Sequence, residues 1–230
     1  MPYFYMDYYY IVLVIPALIL SVFAQIYVKA TYKKYAGVRN SRGLTGAAAS
    51  QSVLSYYGIT DVSISHIGGK LTDNFNPSSK CISLSDGVYS SSSIAAVGIA
   101  CHEAGHAAQH AQNYLPVAVR NKLVPVCNIG SMLGIPLAVI GYFFGFDPLV
   151  KIGIMLYGLI FLFHLVTLPV EFNASFRAIK VIQEQGLLYE DEISGARKVL
   201  FAAAMTYVAS MIVALANLLR LILRFSRNRN

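Results

Sequence analysis

The chain reads as a mainly α-helical membrane protein, with about four transmembrane helices and one polar region of helices and a small β element. Three observations predict this class. The 230 residues are 56% hydrophobic and only 13% charged, too apolar a balance for an ordinary soluble domain. Four runs with few or no charges, at 11–28, 126–145, 149–168 and 199–219, are long enough to cross about 30 Å of hydrocarbon. A polar stretch, 29–125, separates the first run from the second. Residues 1–230 are therefore read as a single integral membrane domain.

The elements follow in order. Tyrosines at 3, 5, 8, 9 and 10 precede the first span and suit the headgroup level. Acidic Asp7 and the absence of a basic leader segment argue against a signal peptide. Ser41 or Thr45 can cap a helix of small residues that runs to about Tyr57, where Gly58 stops it. Val62, Ile64 and His66 then alternate with serines, and residues 81–85 alternate again around Ile82 and Leu84, so two short strands are expected with a turn at 73–79. The hydroxyls of Ser91 to Ser93 can cap a helix from about Ile94 to Asn113. Small residues Ala95, Ala96, Gly98 and Ala100 let neighbouring helices approach it. The second and third spans form a hairpin about Phe146, Asp147 and Pro148. The fourth ends in a tail carrying Arg220, Arg224, Arg227 and Arg229.

Charge sets an expected topology. Thirteen of the eighteen basic residues fall in 29–125 and 169–198, which the positive-inside rule places in the cytoplasm with the N-terminus outside. The basic tail then falls outside, against the same rule, unless the last helix does not cross fully. Because the basic residues flank the spans, the net charge of +7 reads as topology and anionic-lipid signals, and no nucleic-acid partner is expected. Cys81, Cys101 and Cys127 are odd in number and lack Cys-x-x-Cys spacing, which fits reduced thiols. The chain has no Gly-x-x-x-x-Gly-Lys-Ser/Thr loop, so ATP is not expected to take part.

The chemistry sits in His102, Glu103, Ala104, Gly105 and His106. On a helix His106 lies about 40° and 6 Å from His102, so two imidazoles can converge on one tetrahedral ion. Glu103 falls between them in angle, near the ion without having to bind it, which suits a general base acting on water. The bland reading is two histidines and a glutamate hydrogen-bonded inside a buried bundle. A zinc site needs a third protein ligand. His110 continues the spacing but lies about 12 Å along the axis and 80° around from His102, beyond a shared ion's reach. Glu171, at the end of the third span, falls on the same predicted membrane face as the histidines. It is the better candidate for the third ligand; its bland reading is an interfacial glutamate paired with Arg177 or Lys180. His164 lies roughly 10 Å deeper and reads as a packed polar contact.

Several blocks carry a resemblance. Residues 93–98 lead into His-Glu-Ala-Gly-His; residues 123–131 read Leu-Val-Pro-Val-Cys-Asn-Ile-Gly-Ser; residues 165–175 read Leu-Val-Thr-Leu-Pro-Val-Glu-Phe-Asn-Ala-Ser; and 195–200 and 203–208 add Gly-Ala-Arg-Lys-Val-Leu and Ala-Ala-Met-Thr-Tyr-Val. Together they resemble the YugP-type neutral zinc metallopeptidases over nearly the whole chain. That family is similar in layout to the HtpX-type and prenyl-protein proteases, in which a glutamate on a later helix completes the zinc triad. The resemblance implies that the polar region, expected in the cytoplasm from its charges, is zincin-like, with one zinc ion per chain held by His102, His106 and Glu171, and Glu103 as base. In those relatives an aspartate four residues after the ligand glutamate commonly buttresses a ligand histidine. Ser175 stands in that place here, with Asn173 and Arg177 as alternative supports.

The expected activity is that of an integral membrane zinc endopeptidase acting on a protein or peptide. Tyr89, Tyr114, His110 and Arg177 are possible donors to the oxyanion. The strand near 81–85 reads either as ordinary sheet or as an edge to which an extended substrate adds. The rival readings are a catalytically inactive membrane scaffold and a divalent-metal-binding membrane protein. Substrate identity and oligomeric state are not legible.

Overall fold

The hydrophobic runs all become helices in the computed structural model, which describes residues 7–226. Tyr3, Tyr5, Arg227 and Arg229 lie outside the described residues. A π-helical turn, Tyr10–Val14, leads into α1 (Ile15–Ala36), and α2 (Gly46–Tyr56) follows. Strands β1 (Ser63–His66), β2 (Asn74–Asn76) and β3 (Cys81–Leu84) come next, then α3 (Ile94–Ala111), α4 (Leu115–Phe143), α5 (Asp147–Glu184) and α6 (Glu190–Ser226). Among the described residues, four helices are long and apolar enough to cross a membrane: Tyr10–Ala36, Leu115–Phe143, Asp147–Glu184 and Glu190–Phe225.

The helices overrun the expected spans. Helix α4 begins at Leu115 rather than 126, and α5 continues through Pro169 to Glu184 rather than stopping near 168. Pro169 removes one backbone donor. Beyond it, Val170, Ala174, Ala178, Val181 and Ile182 are all fully buried, and this three-to-four spacing gives α5 a continuous stripe to pack.

The chain forms two compact units. One comprises the residues up to Gln25, Ala118–Pro169 and those from Thr206 onward. Its α4–α5 hairpin closes tightly at Gly153, where a Cβ would lie 2.5 Å from both the Gly134 oxygen and the Ala138 nitrogen. Asp7 Oδ2 meets Arg220 Nη2 at 3.0 Å and Arg224 Nη1 at 2.7 Å. Asp7 Oδ1 also accepts from the Tyr10 backbone N–H at 2.9 Å, and the Arg220 guanidinium stacks on the Tyr10 ring.

The other unit, Ile26–Val117 with Val170–Met205, holds a core that includes Leu54, Ile82, Leu84, Val97, Val181 and Ile182. Thr45 caps α2, accepting from the Ala48 N–H at 3.3 Å. Ser41, the other expected cap, instead donates both its backbone N–H and its hydroxyl to Glu192. Ser93 caps α3, accepting from Ala96 N–H at 3.1 Å.

The sheet departs from the expected simple pair. Strand order is β1-β3-β2, with β1 parallel and β2 antiparallel to β3, so the predicted turn at 73–79 contains a strand of its own. A direct turn joins only antiparallel strands. Here the intervening chain crosses over and returns as β2, turning back through Asn76, whose Oδ1 accepts from the Ser78 and Ser79 N–H groups. Strand β3 is consequently the central one. Both its edges are paired, and its role is ordinary sheet structure rather than a free edge for an extended substrate.

Candidate metal centre

Helices α3 and α5 build the site within the second unit. Their backbones come close at Gly105, where a Cβ would lie 2.7 Å from the Ala174 carbonyl oxygen. This approach brings the α3 imidazoles against the α5 carboxylate. His102 Nε2 lies 3.1 Å from His106 Nε2, and Glu171 Oε2 lies 3.4 Å from the first and 3.6 Å from the second. Glu171 is 2% exposed. These three residues offer one ligand atom each, all within 4.8 Å of one another.

The spacing suits zinc. Ligand bonds of about 2.0–2.2 Å in a tetrahedron place neighbouring donor atoms roughly 3.3–3.6 Å apart, close to the three separations found. Two nitrogens and one oxygen also leave a fourth position open, the pattern of a catalytic rather than a structural site.

The other face of each ring is held. His102 Nδ1 lies 3.1 Å from Ser175 Oγ, so the residue in the buttressing place does contact a histidine of the cluster. His106 Nδ1 lies 3.0 Å from Gln109 Oε1. Gln109 is not among the candidates that the sequence singles out. Its signal was that of a polar residue among Ala104, Ala107 and Ala108, three positions on from His106 and fully buried.

Asn173 and Arg177 belong to the same network. Asn173 Oδ1 accepts from Gln109 Nε2 at 3.0 Å and from Arg177 Nε at 2.7 Å, and Arg177 Nη1 donates to Gln112 Oε1 at 2.6 Å. The Arg177 guanidinium lies over the Tyr57 and Tyr114 rings. Glu171 faces the imidazoles, whereas Lys180 lies 3.9 Å from Glu184. His110 stands apart from the cluster, exposed with its ring edge-on to Phe75. Tyr89 packs against His66, and His164 against Phe163.

Electrostatics separates the two buried carboxyls. Burial pushes the Glu103 carboxyl above the ordinary carboxylate range, with His102 and His106 pulling the other way. Glu171 differs in having both imidazoles within 3.6 Å of its Oε2, so its charge faces the two nitrogens that a cation would share.

The family described as "Putative neutral zinc metallopeptidase" matches residues 10–226. The chain belongs to this family. It is 41% identical over 221 residues to "Putative membrane protease YugP" of Bacillus subtilis (strain 168), covering 96% of this chain and 98% of that one. No solved structure matches the chain. Membership agrees with the His-His-Glu cluster and with the four membrane-length helices, and it supports a zinc-dependent membrane protease.

Proposed function

We propose that this chain is an integral membrane zinc endopeptidase in which His102, His106 and Glu171 hold one zinc ion and Glu103 is the general base. The observation that carries this reading is the convergence of His102 Nε2, His106 Nε2 and Glu171 Oε2 on one point within a family of zinc peptidases. A zinc ion held there would supply Lewis acidity to the substrate carbonyl and to the attacking water.

The protein's own groups do the rest. His102 and His106 present neutral Nε2 lone pairs, while Glu171 contributes the negative charge that balances a cation. Glu103, adjoining His102 on α3, takes a proton from the attacking water and delivers it to the leaving amine. By the distribution of basic residues, the site works on the cytoplasmic side of the cell membrane.

Replacing Glu103 with Gln tests the assignment. The variant is expected to retain about one zinc per chain and to lose at least roughly 100-fold in peptide hydrolysis, the scale of general-base catalysis. Metal analysis of the purified protein with a peptide-cleavage assay reads both. A parent chain without stoichiometric zinc would favour a scaffold, and an E103Q variant as active as the parent would remove Glu103 from the mechanism.

A further inference from the structure

We infer that Gln109 is the positioning residue of this centre: it fixes the tautomer of His106 and ties that ring to the backbone beside Glu171. The inference rests on the metal-site reading for its purpose but not for its geometry. Gln109 Nε2 lies 2.7 Å from the Val170 carbonyl oxygen and 3.0 Å from Asn173 Oδ1. A backbone carbonyl can only accept, so the atom facing it must be the amide nitrogen. Asn173 Oδ1 is fixed the same way, because the Arg177 Nε–H that reaches it can only donate.

The polarity then propagates to the metal centre. With its nitrogen committed to Val170 and Asn173, Gln109 presents an oxygen to His106 Nδ1. That oxygen can only accept, so Nδ1 carries a hydrogen, and in the neutral ring Nε2 is the nitrogen with the lone pair. Nε2 is therefore the ring nitrogen left to face Glu171 and His102, and the one from which a cation takes its lone pair. Val170 directly precedes Glu171, so one fully buried side chain restrains two of the three ligand residues.

His102 is held differently. Its partner, the Ser175 hydroxyl, can donate or accept, so it permits either tautomer. His106 is the preset ligand and His102 the adaptable one. An amide at 109 thus supplies an orientation that Ser175 alone cannot.

Two measurements on the full-length protein in detergent test this. In the metal-stripped parent, two-bond proton–nitrogen spectra of labelled histidine should show His106 as the Nδ1–H tautomer. A ring protonated at Nε2 alone would overturn the inference, whatever the metal content proves to be. In chelator competition, Gln109→Met should weaken zinc binding by about 10- to 100-fold, the usual effect of losing such a partner. Gln109→Glu, which keeps the acceptor for Nδ1–H but turns its second oxygen toward the Val170 and Asn173 oxygens, should lower the thermal midpoint yet weaken zinc binding less than Gln109→Met does. Equal losses in both variants would mean that Gln109 only clamps helices together, and no loss in Gln109→Met would mean that it does not position His106; either result overturns the proposal. Failure of the parent to bind zinc would defeat the metal reading but leave the tautomer result intact.

Discussion

Residues of the same type behave differently in this chain because their surroundings differ, and the cysteines show it most simply. Cys101 is fully buried beneath α2, its thiol directed at the Ala49 carbonyl oxygen, and burial raises its pKa far above the ordinary thiol range. Cys81 is partly exposed, and a hydrogen bond from Ser65, with others from Ser63 and Ser83, lowers its pKa. Thiolate is the reactive form. A thiol alkylating reagent at neutral pH should therefore modify Cys81 in the folded protein and reach Cys101 only after denaturation, as peptide mass spectrometry would record. Modification of Cys101 first would contradict its placement. Both positions are adjacent in sequence to polar residues, and nothing in local spacing distinguishes them; only the fold does.

At the scale of elements, the decisive contact is between α3 and α5. Gly105 lies inside the motif, where sequence alone marks it as an interchangeable position, yet the Ala174 carbonyl leaves no room for a side chain there. The obstructing atom is backbone, so Gly105→Ala must push the helices apart. A cost of about 1–3 kcal/mol is expected, read as a lower thermal midpoint together with weaker zinc binding. Ser93→Ala, which removes the cap of the same helix without touching this contact, should cost about 1 kcal/mol and leave the ligand geometry alone. Much of this was legible beforehand. The helix bearing the motif, the hairpin about Asp147 and the meeting of Glu171 with the two histidines all followed from local patterns or resemblance, whereas the caps were narrowed only to Ser41 or Thr45 and to Ser91–Ser93. The parallel pairing of β1 with β3 did not, because pairing depends on distant chain. Gln109 was missed because its importance lies in Val170 and Asn173, some sixty positions away.

For the whole molecule, family membership and four membrane-length helices agree, but the basic tail strained the charge-based topology. The contact of Asp7 with Arg220 and Arg224 eases that strain, since one carboxylate offsets part of the tail's positive charge within the protein. Asp7 and Arg220 are both largely buried, with side chains 9% and 11% exposed. Removing one partner of such a pair costs up to about 3–5 kcal/mol. Asp7→Asn should lower the thermal midpoint in detergent, and a variant as stable as the parent would show that the pair contributes little. The same contact has a geometric corollary. A residue ahead of the first helix touches residues near the end of the last, so the path between them must traverse the bilayer an even number of times. Reporters joined to the two extremities should accordingly give matching compartment signals, whichever way round the protein is inserted.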